Sequence, residues 1–159
     1  MIRRAKNTEN KFLTSLSFDS KRYWNYPEAY FKIWKTELTI TQDYIWENDV
    51  FVYEKNQRIL GYYSVVDLKS DLTVSDILIE AGTWLEHIFI SPESIQKGIG
   101  TKLFLDCVKL CQSKEVDTLK ILADPNSSGF YEKMRCQFIK DYPSTIEGRT
   151  TPYFEYYLN

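Results

Sequence analysis

Three stretches of the chain concentrate residue types that could do chemistry. The first is Gln96-Lys97-Gly98-Ile99-Gly100-Thr101, which brings two glycines, a lysine and a hydroxyl to the start of a helical pattern. A helix start exposes backbone N–H groups that lack intrahelical acceptors, and it carries the positive end of the helix dipole. Glycines let a phosphate oxygen approach that backbone closely. The hexapeptide is therefore a candidate pyrophosphate cradle. The second stretch is Trp84–Ile90, an aromatic and β-branched run that contains Glu86 and the chain's single histidine, His87. An acid within an otherwise apolar strand is unexpected. Alternation puts Glu86 on one face with Ile88 and Ile90, and His87 on the other with Phe89. The third stretch, Asn126 to Met134, carries Asn126 and Tyr131 on and just before a short helical segment.

Other phosphate-binding patterns do not fit. A P-loop needs G-x-x-x-x-G-K-[S/T], and the chain has no such run. A dinucleotide fingerprint needs a third glycine where Leu103 stands.

The elements that must position these residues can be read from periodicity and punctuation. Met1–Lys6 can start a strand, and Asn7 or Thr8 can cap a helix carrying Phe12, Leu13 and Leu16 on one side. Tyr23-Trp24-Asn25-Tyr26 reads as an aromatic loop. Pro27 suits the first turn of a second helix with Tyr30, Phe31, Trp34 and Leu38. Thr41 caps a brief third helix through Trp46. Val50–Glu54 and Arg58–Val66 read as strands joined by a turn at Lys55-Asn56-Gln57. Asp67 to Gly82 reads as a polar loop with a weak strand. Trp84–Ile90 is a strong strand, and from Gly98 the period changes to a helical stripe of Ile99, Leu103, Cys107 and Leu110. Thr118–Leu122 is the next strand, followed by a short helix capped by Asn126, Ser127 or Ser128. Phe138–Asp141 and Tyr153–Leu158 close the chain as strands. The order implies a mixed α/β layout around one central sheet, in one domain over residues 1–159.

Composition narrows the function classes. Hydrophobic residues make up 43% and charged residues 26%, which is enough for a core and argues against disorder. A net charge of −2 gives no basic field to hold nucleic acid. No apolar run is long enough to span a membrane, and no secretory signal stands at the N-terminus. Three cysteines without a framework suggest a reducing, cytoplasmic setting, and their pattern supports core packing with no metal site.

At these residues the chain resembles the GNAT superfamily of acyl-CoA-dependent N-acyltransferases. The resemblance spans roughly the whole chain and is densest from Trp84 to Met134. The family's phosphate loop, R/Q-x-x-G-x-G/A, corresponds to Ile95-Gln96-Lys97-Gly98-Ile99-Gly100, with Ile95 at the first position and Gln96 displaced by one. The backbone cradle does not depend on that side chain. The segment Asn126-Ser127-Ser128-Gly129-Phe130-Tyr131-Glu132-Lys133-Met134 is similar to a shortened form of the family's N-x-x-A-x-x-F-Y-x-K-x-G helix, with Arg135 in place of the final glycine.

The resemblance implies a fold with a mostly antiparallel twisted sheet of about six or seven strands flanked by about four helices. It implies acetyl-CoA as the cofactor, held by Gln96, Lys97, Gly98, Ile99, Gly100, Thr101 and Asn126 and by the strand at Ile88, Phe89 and Ile90. It implies transfer to an amine by direct attack, with Tyr131 protonating the departing thiolate. A base must first take a proton from the amine. Glu86 is the first candidate, and His87, whose imidazole is a common general base, is the second. Arg22, Tyr23, Trp24 and Tyr26 form one candidate lip for the acceptor, and Trp84 and Arg149 complete the set. An arginine beside aromatics suits a carboxylated or aromatic amine. The acceptor itself stays open among small polyamines, amino acids, antibiotics, peptide N-termini and protein lysines. An aromatic surface could also support a homodimer. The competing readings are an acyl-CoA-binding sensor without catalysis and a nucleotide-binding protein of another fold.

Overall fold

A computed structural model describes residues 1–158. The strand order in the main sheet is β1-β2-β3-β6-β7-β9-β8, and β4 and β5 form a separate hairpin. The chain divides into two units, one from Met1–Val65 and His87–Cys107, the other from Val66–Glu86 and residue 108 onward. The mixed α/β expectation therefore holds, with seven strands in the sheet.

In the first unit, β1 (Ile2–Arg4) pairs antiparallel with β2 (Asp49–Lys55), and β2 with β3 (Arg58–Leu68). Asn56 and Gln57 both take positive φ, 51° and 62°. Such a turn matches the twist of the strands it joins, although neither residue is a glycine. Helix α1 (Asn10–Arg22) buries Leu13, Leu16, Ser17 and Ser20, an i, i+3, i+4, i+7 stripe. Phe12 lies one residue off that stripe and is 51% exposed, so its expected place on the core face is corrected. Helix α2 (Glu28–Leu38) buries Phe31, Trp34 and Leu38, with Pro27 just outside its first turn. Thr41 caps α3 (Gln42–Glu47) by accepting the Tyr44 N–H at 3.0 Å. The core joins Leu13 and Leu16 to Ile40, Ile45, Val50, Val52 and Tyr62. Burying each such aliphatic side chain contributes about 1.5–3 kcal/mol.

A polar thread crosses this core. The Ser17 hydroxyl donates to the Leu13 carbonyl at 2.8 Å and lies 2.6 Å from the Tyr62 hydroxyl. The hydroxyls of Tyr44 and Ser64 lie 2.8 Å apart.

In the second unit, β7 (Thr118–Leu122) pairs antiparallel with β9 (Thr150–Tyr157), which also pairs with β8 (Gln137–Pro143). The first part of β6 (Gly82–Ile90) runs parallel to β7 at Thr83↔Leu119 and Trp84↔Lys120. A parallel pair needs a crossover connection, and α4 (Ile99–Ser113) supplies it. Residues 67–82 depart from the expected loop. The segment completes β3 and then forms the hairpin β4 (Leu72–Val74) and β5 (Ile77–Ile79) about a turn at Ser75 and Asp76. Ile77 and Ile79 pack against Trp84, Tyr142 and Tyr153. The last strands run longer than their apolar cores suggested.

Before α5 (Ser128–Lys133) stands a short 3-10 turn, Pro125–Ser127. Its cap is Asp124, whose carboxylate accepts the Asn126 N–H at 2.8 Å. Ser127, one of the expected caps, holds the N-cap position of α5 itself, without a side-chain hydrogen bond. Among the described residues, no helix is long and apolar enough to cross a membrane.

Candidate active site

The cradle segment leaves β6 through a fixed turn. The Ser91 N–H donates to the Leu60 carbonyl at 2.8 Å, tying the end of β6 to β3. Pro92–Ser94 then makes one 3-10 turn. Gln96 and Gly98 both take left-handed φ, 65° and 81°, on either side of Lys97. Such reversals can turn backbone N–H groups toward a common concavity. Helix α4 opens at Ile99, and its first internal bond is Lys102 N–H to Gly98 carbonyl at 3.2 Å. The N–H groups of Gly98, Ile99, Gly100 and Thr101 precede that bond and have no acceptor within the helix. A Cβ built on Gly98 would meet nothing within 4 Å, so open space lies against this backbone. Gln96, Lys97 and Gly98 are exposed, whereas Ile99 is buried and anchors the helix. A diphosphate fits such a site: it needs N–H donors, a positive helix end and room beside the main chain.

Upstream, β6 divides its titratable residues as alternation requires. Glu86 is exposed and His87 is buried. The His87 ring stacks on Phe89, with centroids 5.4 Å apart, and lies 6.1 Å from the Tyr44 ring and 6.4 Å from the Tyr62 ring. It thus stands within an aromatic layer beneath the first unit's core. Ile88 and Ile90 are half-buried on the other face, where Ile90 lies against Gly61 and Leu103.

Downstream, Tyr131 is only 4% exposed, its ring 5.7 Å from Phe154 and 5.2 Å from Phe130. Asn126 is exposed on the preceding turn. Arg149 lies 3.8 Å from Asp124, the residue that caps that turn, so it braces the Asn126 loop. Arg135 has φ 67°, a left-handed conformation that glycine adopts without strain.

The remaining acceptor candidates have different surroundings. Tyr23 and Trp24 are exposed and meet edge to face at 4.9 Å. The Arg22 guanidinium lies over Phe31 at 4.6 Å and 3.6 Å from Glu28. Trp84 is buried, with its indole N–H donating to the Glu80 carbonyl at 2.9 Å, and it forms part of the second unit's core.

The sequence reading passed over a cluster around Lys120. Its ammonium lies 3.8 Å from Glu155 and over the rings of Trp84 and Tyr153. The Tyr153 hydroxyl donates to Glu155 at 2.6 Å, and the Tyr157 hydroxyl does so at 2.8 Å. Those bonds, the Tyr153 one foremost, hold the Glu155 carboxyl below its usual range. Burial, with Glu155 beside it, pushes the Tyr153 phenol far up. The period-2 spacing of Tyr153, Glu155 and Tyr157 was the available signal. The three cysteines are buried, and burial lifts the Cys136 thiol to about 12.

The Acetyltransferase (GNAT) family matches residues 19–135, most of the chain and all of the segment that carries the cradle. The chain belongs to the GNAT acetyltransferase family. Solved GNAT structures share its fold over nearly the full length. The PaiA N-acetyltransferase of Thermoplasma acidophilum, in complex with coenzyme A, is 16% identical, with a TM-score of 0.75 over 99% of this chain and 98% of that one. YncA of Salmonella typhimurium, with its cofactor acetyl-CoA, is 15% identical, with a TM-score of 0.68 over 100% and 94%. Among curated proteins, the peptidyl-lysine N-acetyltransferase YiaC of Escherichia coli (strain K12) is 24% identical over 104 residues, 65% of this chain. That match spans only 61% of YiaC's own length. In this GNAT chain, Gly98 ahead of α4 and Arg135 after α5 both take left-handed φ.

Proposed function

We propose that the chain transfers an acetyl group from acetyl-CoA to a primary amine by direct attack. The observation that carries this reading is Gly98: left-handed, open to space and immediately before the helix start that follows β6. The N–H groups of Gly98, Ile99, Gly100 and Thr101 would hold the diphosphate, assisted by the exposed Lys97. Gln96 and Asn126, both exposed, would contact the cofactor from their loops, and the main chain of Ile88, Phe89 and Ile90 would hold its amide arm.

Bound acetyl-CoA supplies an electrophilic thioester carbonyl. Glu86, an exposed residue of β6, takes the proton that the acceptor ammonium must lose, directly or through water. His87 is the weaker candidate, because its ring faces the aromatic layer on the opposite side. A main-chain N–H near Ile88 stabilises the negative charge that develops on the carbonyl oxygen as the C–N bond forms. Tyr131 returns a proton to the sulfur as the C–S bond breaks. Tyr23, Trp24 and Tyr26 contact the acceptor. Arg22 is already engaged by Phe31 and Glu28, which weakens the case for a carboxylated acceptor. The lysine acceptor in the name of YiaC fits the same amine class.

Two measurements test this. Calorimetric titration should show saturable uptake of coenzyme A by the folded protein, with no competition from ATP or NAD. A thiol-release assay with acetyl-CoA and a panel of amines should show release that depends on the amine. Uptake without such release would favour a sensor, and no uptake would end the assignment.

A further inference from the structure

A second concavity lies within the first unit. Its volume is about 450 Å³, a size that suits a small organic molecule. One wall is α1, through Phe12, Ser15, Leu16 and Asp19. These four follow an i, i+3, i+4, i+7 spacing, one residue out of step with the core stripe of Leu13, Leu16, Ser17 and Ser20. The helix therefore presents a second face, and Phe12, 51% exposed, belongs to it. The other wall comes from Ile59 on β3 and from Ser91 and Pro92 just past β6. Phe12, Leu16, Ile59 and Pro92 thus line a concave apolar strip, which favours the apolar body of a ligand over water. The charge around the strip is one-sided. Glu9, Asp19, Glu54 and Glu93 stand against one arginine among the lining residues, Arg58. Arg58 pairs with Glu93 at 2.8 Å, and Glu9 and Glu54 share Arg3. Asp19 has no ion pair or side-chain hydrogen bond among the described residues. It lies two helical turns from Phe12, about 10 Å along α1.

We propose that this concavity binds an amphipathic organic cation, with its ammonium group at Asp19 and its alkyl chain running past Leu16 to Phe12. The sign of the ligand follows from the lining: the carboxylates outnumber their arginine partners, so a cation is drawn in and an anion is repelled. The chain follows from the apolar strip, and its length from the separation of Asp19 and Phe12 along the helix. None of Gly98, Glu86 and Tyr131 lines the concavity. The site therefore does not depend on the transfer chemistry proposed above, and an occupant need not be an acceptor.

Octyltrimethylammonium is a suitable probe, because its extended chain matches that separation and its nitrogen, which carries no hydrogen, cannot accept an acetyl group. Calorimetric titration of the full chain should show saturable uptake of one molecule. Octanesulfonate, of opposite charge, should bind at least ~10-fold more weakly. Butyltrimethylammonium should also bind at least ~10-fold more weakly, since each buried methylene is worth roughly 4-fold. Asp19→Asn should weaken uptake of the probe by about 2- to 5-fold, the scale of an exposed ion pair. Ser15→Trp, at an exposed position in the middle of the α1 wall, should fill the concavity and abolish uptake with the wild-type Tm retained. Should that variant lose its folding transition, Phe12→Ala reads the same wall from another exposed position and should weaken uptake by about 3- to 10-fold. Saturating coenzyme A should not displace the probe, and displacement would put the probe at the cradle and overturn the proposal. So would the absence of saturable uptake, uptake of octanesulfonate as strong as that of the cation, or uptake that Asp19→Asn or the α1-wall variant leaves unmoved.

Discussion

The carbonyl oxygen of Phe89 lies 3.0 Å from the point that a Cβ on Gly61 would occupy. Ile90 Cδ1 is equally near, and Leu103 Cδ1 is 3.1 Å away. The two side chains could rotate a little, but the carbonyl belongs to the β6 backbone. Gly61→Ala should therefore press on the strand assigned to the cofactor's amide arm. The expected loss of stability is about 1–3 kcal/mol, as for other overpacked sites. In a domain of this size that lowers Tm by about 2–4 °C per kcal/mol. Coenzyme A affinity should fall with it. A Tm within ~1 °C of wild type, read by calorimetry, would show that β6 moves aside freely.

Gly98→Ala should behave in the opposite way. The added methyl meets nothing inside the protein, so no packing is lost. The left-handed φ of 81° would still strain an alanine, by about 1–2 kcal/mol. Its main effect should appear in binding, because the methyl occupies the space into which a phosphate must come. We expect coenzyme A to bind at least ~10-fold more weakly, consistent with loss of close backbone approach. Unchanged affinity in titration would place the diphosphate elsewhere.

These two glycines also show what the sequence disclosed. The strand–loop–helix unit was legible because its signals are local: β-branched residues, a proline stop, then glycines at a change of period. The hairpin of β4 and β5 was not. Its turn uses Ser75 and Asp76 at positive φ, where no glycine marks the reversal. Its inward residues, Ile77 and Ile79, find their partners in Trp84, Tyr142 and Tyr153, far along the chain. Phe12 misled for a related reason. The stripe on α1 continues through Ser17 and Ser20, whose burial depends on tertiary partners such as Tyr62. Glu86 and His87 were assigned opposite faces correctly, since alternation is a property of the strand alone.

The Ser17–Tyr62 pair makes a prediction about stability. Ser17 spends its hydroxyl proton on the Leu13 carbonyl, so Tyr62 is the donor between the two hydroxyls. Tyr62→Phe keeps the ring against its core neighbours and removes that donor. The expected loss is about 0.5–1.5 kcal/mol, the net worth of one hydrogen bond. Denaturant titration measures it. A gain in stability would mean that the polar thread weakens the core.

Acid should loosen the N-terminal strand. The Arg3 guanidinium bonds Glu9 at 2.7 Å and Glu54 at 2.9 Å. Its hydrogen bond, foremost among the causes, holds the Glu9 carboxyl below the ordinary value of 4.5. A carboxyl depressed in the folded state adds stability above its unfolded pKa, and loses it as pH falls through the folded one. The contribution is therefore whole near neutrality and fades below about pH 4.5. Arg3→Leu should lower Tm at pH 7 and flatten the Tm–pH curve in that acid range. Parallel curves for the two proteins would deny the pair any part in acid stability.

Tyr131→Phe separates the chemistry from the fold. The ring is buried against Phe154 and Phe130, and phenylalanine preserves those ring contacts. The hydroxyl is what the proposed acid step needs. Turnover should fall by ~10²-fold, the low end for a positioned general acid, because a thiolate can leave without full protonation. Affinity for coenzyme A should be nearly unchanged, since the proposed phosphate contacts are backbone N–H groups near Gly98. Wild-type turnover in Tyr131→Phe would move the proton donor to another group, such as solvent.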